Sequence, residues 1–280
     1  MADNQTDFEK ILVNEYFKYG SINRVFSAHH FDLPISFAGY TRVLSKYGVI
    51  KSAGPNSNLS ESLHILSQIA SYKIPLERIY HALTPKTIQV SINTLHRVLH
   101  YTRLGLTRRQ GTALVITQKG NPDFFLTGHD LTLRDSALGQ KGDISLPMSH
   151  SKLDENSIDS ITRVLQQEVF TDLVLKQVFP FKVVPTHPKP IMFINIADIR
   201  VAVYHLELDQ KYPFSSFKLK NIRFRDLSDI SSVSVRPGVK EILTKYLELS
   251  DSTNYSLTPE LKSDLNTSLY ALSPLISETK

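Results

Sequence analysis

Apolar and polar positions in the first hundred residues repeat with the period of helices. Phe8, Ile11, Leu12, Tyr16 and Tyr19 recur close to the i, i+3, i+4 spacing that turns one helical face inward, which predicts a helix over 7–19. Gly20 ends it, and Ser21 is a suitable N-cap for a second helix over 22–30, with Ile22, Val25 and Phe26 inward. In Leu33-Pro34-Ile35 the residue before proline is held extended, so the chain turns there. Ser36 then caps a third helix over 37–47, closed by Gly48. A helix, a short turn and a capped helix in so short a span have helix-turn-helix spacing.

The segment 51–58 (KSAGPNSN) is a linker by composition. Beyond it three more helices are expected, over 60–72, 75–83 and 91–104, with Pro75 in a first turn and Thr84-Pro85 as a break. The two helical groups resemble each other. Ser36, Tyr40, Arg42, Val43 and Leu44 align with Ser91, Leu95, Arg97, Val98 and Leu99 at an offset of 55 residues, and a glycine follows each (Gly48, Gly105). The pattern reads as a tandem pair of helix-turn-helix units, one over 1–52 and a second, winged-helix-like, over 59–106.

From residue 107 the period shortens. Segments 111–117 (GTALVIT), 123–127, 144–147, 181–186, 191–196 and 200–208 are short strand-like runs bounded by Gly, Pro and Asn. Helical patterns interrupt them at 155–169 and 239–249. Residues 107–250 are therefore a mixed α/β domain. The Ser- and Thr-rich end, 251–280, holds one expected helix over 259–272, either docked or a loose tail.

Composition narrows the class. The chain has 280 residues and no cysteine, so it has neither a disulfide framework nor a thiolate metal site. Its most apolar stretch, 191–208, is broken by Asn195, Asp198, Arg200 and His205, and MADNQTDFEK lacks the features of a secretory signal. A cytoplasmic, bacterial- or archaeal-type protein with no membrane contact is expected. The net charge of +5 is unevenly spread: residues 1–110 carry 13 Lys+Arg against 7 Asp+Glu, and the rest carries 19 against 20. A basic first part beside a neutral second part fits a polyanion partner for the first.

The stretch from Leu146 to Phe170 resembles the Nudix box, G-x5-E-x7-R-E-U-x-E-E-x-G-U, where U is bulky and aliphatic. Arg163 as the anchor puts Glu155 at the first glutamate, Leu165 at the aliphatic position and Glu168 at the last glutamate. The strand GTALVIT, the Leu146-Pro147 pair and Arg236-Pro237-Gly238 also look like the family, over about residues 107–250. The resemblance implies an α/β/α Nudix-like sandwich behind an all-α tandem helix-turn-helix region, an α+β multidomain chain. Ser149 stands at the glycine position, Val164 and Gln167 at two glutamate positions, and Phe170 at the closing glycine. In active members those glutamates hold a divalent cation against a pyrophosphate. One carboxylate of three is too few for that chemistry. Glu155, Arg163 and Glu168 are expected as a remnant that either pairs internally or touches a ligand, with Ile158, Ile161 and Leu165 as the apolar face of the box helix.

If the helical groups enter a major groove, Ser36, Tyr40, Thr41, Arg42 and Lys46 face the duplex in the first. In the second, Ser91, Asn93, Thr94, His96, Arg97 and Arg103 do so, with Arg108 and Arg109 as a wing-like contact. Arg reads guanine, Asn pairs with adenine, and Ser, Thr and Lys hold phosphates. The expected function is a transcriptional regulator that binds double-stranded DNA, with a non-hydrolytic Nudix-like domain that senses a nucleotide-like ligand. It has no catalytic residues, metal or cofactor, and a homodimer is compatible with it. The layout is similar to Nudix-related regulators, with the domain order reversed. One alternative is a Nudix-type phosphohydrolase acting on nucleoside diphosphate derivatives with Mg2+ or Mn2+, its missing carboxylates supplied by Asp172, Asp198 or Glu207. Another is a protein-interaction module.

Overall fold

The computed structural model describes residues 2–51, 99–100, 104, 109–131, 139–152, 155–250 and 257–271. The chain opens with α1 (Ala2–Tyr19), α2 (Ile22–Ala28) and α3 (Phe37–Lys46). Both short helices start on a hydroxyl cap: Ser21 Oγ accepts from Arg24 N at 3.3 Å and Ser36 Oγ from Gly39 N at 3.1 Å. Past α3, Gly48 takes a φ of +63°, and Val49 N reaches back to Leu44 O at 2.9 Å. Leu12, Tyr16, Phe17, Val25, Phe26, Val43 and Leu44 belong to one buried cluster. Helices this short are marginal alone, and it is this shared core, at roughly 1.5–3 kcal/mol per buried apolar side chain, that holds them. The expected helices over 60–72 and 75–83 lie outside the described residues, as does most of 91–104.

The rest is built on one eight-stranded sheet: β1 (Arg109–Gln118), β2 (Asn121–Asp130), β3 (Ile144–Ser145), β4 (Met148–Ser151), β5 (Met192–Ile196), β6 (Ile199–Leu208), β7 (Leu219–Arg225) and β8 (Glu260–Lys262). The strand order is β3-β2-β1-β6-β5-β8, with β4 also on β1 and β7 also on β2. β1 and β6 run parallel from Arg109↔Ile199 to Gln118↔Leu208. The other edge of β1 is shared. β4 pairs with its first half, from Gln110↔Ser151 to Ala113↔Met148, and β2 returns along its second half.

Side chains along β1 alternate between two cores. Ala113 and Val115 pack with Val201, Val203, Ile242 and Leu243, whereas Leu114 and Ile116 pack with Ile161, Val164, Leu165 and Leu206. The first layer is covered by α7 (Val239–Ser250) and the second by α4 (Ser157–Glu168). Coverage on both faces explains why 111–117 is a continuous buried run. The domain is thus an α/β/α arrangement. The remaining helices are α5 (Thr171–Leu175), α6 (Leu227–Ser231) and α8 (Asp264–Ala271).

Beyond the short elements β4, α5 and α6, three differences from the expected elements have clear physical reasons. The strand expected over 181–186 is instead a 3-10 turn, Phe181–Val183, between Pro180 and Pro185, with Phe181 exposed. β7 has no counterpart in the sequence pattern, because Asn221 (φ +52°) and three basic residues break its alternation. The helix expected over 259–272 divides into β8, parallel to β5, and α8. Asn266 fixes α8 to the sheet by accepting from Ala197 N at 2.5 Å and donating to Ala197 O at 3.1 Å. Among the described residues no helix is long and apolar enough to cross a membrane.

Candidate functional site

The box segment is built by β4, the loop to Glu155 and α4. Asn156 caps α4 by accepting from Asp159 N at 2.8 Å. Arg163 is fully buried, and its guanidinium grips Glu155 with both arms: Nε to Oε1 at 3.0 Å and Nη2 to Oε2 at 2.6 Å. Its Nη1 donates to Ser149 Oγ, so this serine serves the arginine. Ser151 Oγ, 2.8 Å from Thr112 Oγ1, ties the same strand to β1. The pairing expected of Glu155 and Arg163 is therefore present, as an internal ion pair with side chains 4% and 0% exposed. Such a fork carries geometric specificity as well as charge.

The last turn of α4 presents Gln166, Gln167 and Glu168, all buried. Glu168 Oε2 accepts from Met148 N at 2.8 Å, and its Oε1 lies 3.3 Å from Lys218 Nζ. The same ammonium donates to Gln167 Oε1 at 3.1 Å. Lys218 stands on the segment leading into β7, fifty residues along the chain from Glu168. Nothing in its local sequence marks it, and the sequence reading passes over it.

Gln166 and Gln167 also bind the helical unit. Gln166 Oε1 accepts from Ile50 N at 3.0 Å, and its Nε2 donates to Gly48 O at 2.7 Å. Gln167 Nε2 donates to Ile50 O at 3.4 Å. Val174 of α5 completes the contact within the apolar cluster of α1–α3. The polar side of the box helix is thus covered by residues 48–50, the strap that follows α3, and α4 is buried all round from Ser160 onward.

These side chains do not fit a divalent cation. Val164 is fully buried in the apolar layer against β1, Gln167 offers an amide oxygen already bonded to an ammonium, and Glu168 is shared between a backbone N–H and that ammonium. Mg2+ and Mn2+ need several free oxygen ligands. Of the substitutes considered, Asp198 is held by Arg109, Asp172 begins α5 and Glu207 is exposed near the far end of β6. Among the described residues no three His, Asp or Glu side chains come together in a way that would hold a metal.

The structure corrects two expected contacts, Tyr40 and Arg109, and places a third, Lys46, in an ion pair. Tyr40 is fully buried and its hydroxyl donates to Leu12 O at 2.5 Å, because 40, 43, 44 and 47 share the inward face of α3. Arg109 is no wing: Nε lies 2.6 Å from Asp198 Oδ2 and Nη2 bonds Oδ1, a pair largely shielded from water. Lys46 is exposed but engages Glu9 at 2.6 Å, which raises its pKa. Arg42 is exposed, Thr41 half-buried and Ser36 spent on its cap. Ser91, Asn93, Thr94, His96, Arg97, Arg103 and Arg108 lie outside the described residues. In α4, Ile158 is 42% exposed and leaves the apolar face to Ile161, Val164 and Leu165.

No family model matches the chain, and no curated protein does. Solved structures overlay on part of it. The MutT protein from Methanosarcina mazei Go1 matches at 11% identity and a TM-score of 0.38, covering 51% of this chain and 96% of its own. An ADP-ribose pyrophosphatase from Streptococcus suis 89-1591 gives 16% identity and 0.36, covering 55% and 99%. The NUDIX domain of Shewanella oneidensis NrtR, complexed with ADP ribose, gives 10% and 0.37, covering 51% and 88%.

Proposed function

We propose that this chain is a DNA-binding regulator whose Nudix-like domain is a non-hydrolytic sensor. The observation that carries the reading is the use made of the box helix. Its last turn, where an enzyme of the resembled family would hold metal and pyrophosphate, is hydrogen-bonded to the strap behind α3 and neutralised by Lys218. A helix whose polar groups are spent in this way is suited to passing a displacement between two units, and unsuited to polarising a phosphate.

The duplex-facing surface is the outer side of α3, with Ala38, Arg42 and Ser45 exposed and Thr41 beside them. Small residues around one arginine allow close approach to a groove, and the arginine supplies a guanine or phosphate contact. A nucleotide-like ligand on the α/β/α domain regulates DNA binding only if it binds the DNA-competent and incompetent forms with different affinity. The strap at 48–50 is the short path by which a shift of α4 reaches the C-terminal end of α3.

The test is fluorescence anisotropy of the full chain on a mixed duplex pool across a salt series, beside phosphate release from nucleoside diphosphate derivatives with Mg2+ or Mn2+. Binding that weakens steeply with salt, without release, is expected. Metal-dependent release would favour the hydrolase, and absent or salt-insensitive binding the interaction module. One observation favours the module: Phe31 and Phe37 are 68% and 43% exposed at the turn between α2 and α3, an apolar edge that a protein partner would cover.

A further inference from the structure

The position of Lys218 is fixed by backbone before its side chain is considered. Ser215 N donates to Val169 O at 2.8 Å and Thr171 N donates to Ser215 O at 3.2 Å, which fastens the 215–218 segment to the end of α4. Ser216 Oγ donates to Gln167 O at 3.2 Å and accepts from Lys218 N at 3.0 Å and Leu219 N at 3.1 Å. Lys218 O accepts from Leu131 N at 2.7 Å. From this anchored backbone the ammonium enters between the residues at the last two glutamate positions of the box, 3.1 Å from Gln167 Oε1 and 3.3 Å from Glu168 Oε1. The lysine side chain is 23% exposed and that of Glu168 5% exposed.

We infer that Lys218 is a built-in replacement for the divalent cation of the box. Its single charge balances the single carboxylate left in that turn. A cation of charge two would need two or more carboxylates and would be repelled by the ammonium. Gln167, where the box would carry a carboxylate, and Lys218 beside it act together: the turn holds one negative charge and one protein-borne positive charge. The site is then permanently in its cation-bound form and takes up neither Mg2+ nor Mn2+. This deepens the non-hydrolytic reading of the domain and does not depend on DNA binding.

The probe is Mn2+ with the full chain, uptake being read from loss of the free-ion electron paramagnetic resonance signal and melting temperature from circular dichroism. The wild-type chain is expected to take up no Mn2+ at this site, and Gln167→Glu alone likewise. Gln167→Glu/Lys218→Met is expected to take up one ion and to melt higher when it does. Equal uptake with and without Lys218 would overturn the inference. A melting cycle on Lys218→Met, Glu168→Gln and their combination serves if the double variant fails to fold. Lys218→Met should lower the melting temperature and added Glu168→Gln recover most of the loss, whereas plain additivity would overturn the pairing. Mn2+ uptake by the wild type at Glu168 without phosphate release would defeat this inference alone; uptake with release would defeat the non-hydrolytic reading as well.

Discussion

Gln166 reads the backbone of Ile50 across 116 residues of sequence: its carboxamide oxygen accepts the Ile50 N–H at 3.0 Å, and its amide nitrogen donates to the Gly48 carbonyl two residues earlier at 2.7 Å. Both bonds are partly buried, so truncation leaves a donor and an acceptor without partners. Losses of this kind cost about 1–3 kcal/mol per unsatisfied group. Gln166→Ala is expected to lower the melting temperature and to speed hydrogen exchange at Ile50 N–H. Exchange at the β1 and β6 amides should stay unchanged. Equal acceleration in the sheet would mean that the strap is no separate joint.

The pair of Arg163 and Glu155 makes a different demand. Both groups are out of water, so removing one strands the other, at about 3–5 kcal/mol. Arg163→Met and Glu155→Gln should each destabilise the chain by several kcal/mol, and Arg163→Met/Glu155→Gln by less than the sum. Arg163→Lys should rescue little, since an ammonium cannot bridge both carboxylate oxygens and still reach Ser149. Urea unfolding of the four variants gives the coupling directly, and additive losses would contradict it.

The parts of this structure that could be read in sequence are those fixed by near neighbours. Ser21 and Ser36 cap the helices that follow them, Gly48 closes α3, and GTALVIT is a strand buried on both faces. Arg163 and Glu155 are eight residues apart, and the box spacing that relates them also brings them together. The parts that could not be read depend on remote pairing. Arg109 meets Asp198 only because β1 and β6 run parallel in one register, and Lys218 reaches Glu168 from an unmarked loop. Tyr40 is an intermediate case. The inward period of 40, 43, 44 and 47 is in the sequence, but placing the helix in a major groove counts the tyrosine among the exposed contacts instead.

His205 sets the expected response to acid. Its Nε2 lies 2.8 Å from Thr117 Oγ1 and 3.1 Å from Tyr246 Oη, between β6, β1 and α7. Burial lowers its pKa below the ordinary imidazole value, and Glu207 pulls weakly the other way. As pH falls, the unfolded chain therefore takes up this proton before the folded chain does. The histidine contributes no pH dependence well above about pH 6.5 and costs stability progressively below it. Melting temperature plotted against pH should bend downward below that point, and His205→Gln should flatten that part of the curve. A bend that survives the substitution would assign the acid sensitivity to other groups.

DNA binding, if it resides on α3, must survive loss of the tyrosine and not of the arginine. Arg42 is exposed on the outer side of α3, while Tyr40 is buried on its inward side with its hydroxyl on Leu12 O. Arg42→Ala is expected to weaken duplex binding severalfold and, if the contact is to a phosphate, to reduce the slope of log K against log salt by about 1. Tyr40→Phe removes one buried hydrogen bond, at about 1 kcal/mol, and should lower the melting temperature while leaving the duplex affinity of the folded chain unchanged. Lys46→Ala should have the smaller effect of the two basic substitutions, because its charge is already shared with Glu9. Anisotropy titrations of the three variants at two salt concentrations separate these outcomes. Unchanged affinity in Arg42→Ala, with a drop in Tyr40→Phe at equal folded fraction, would remove α3 from the interface.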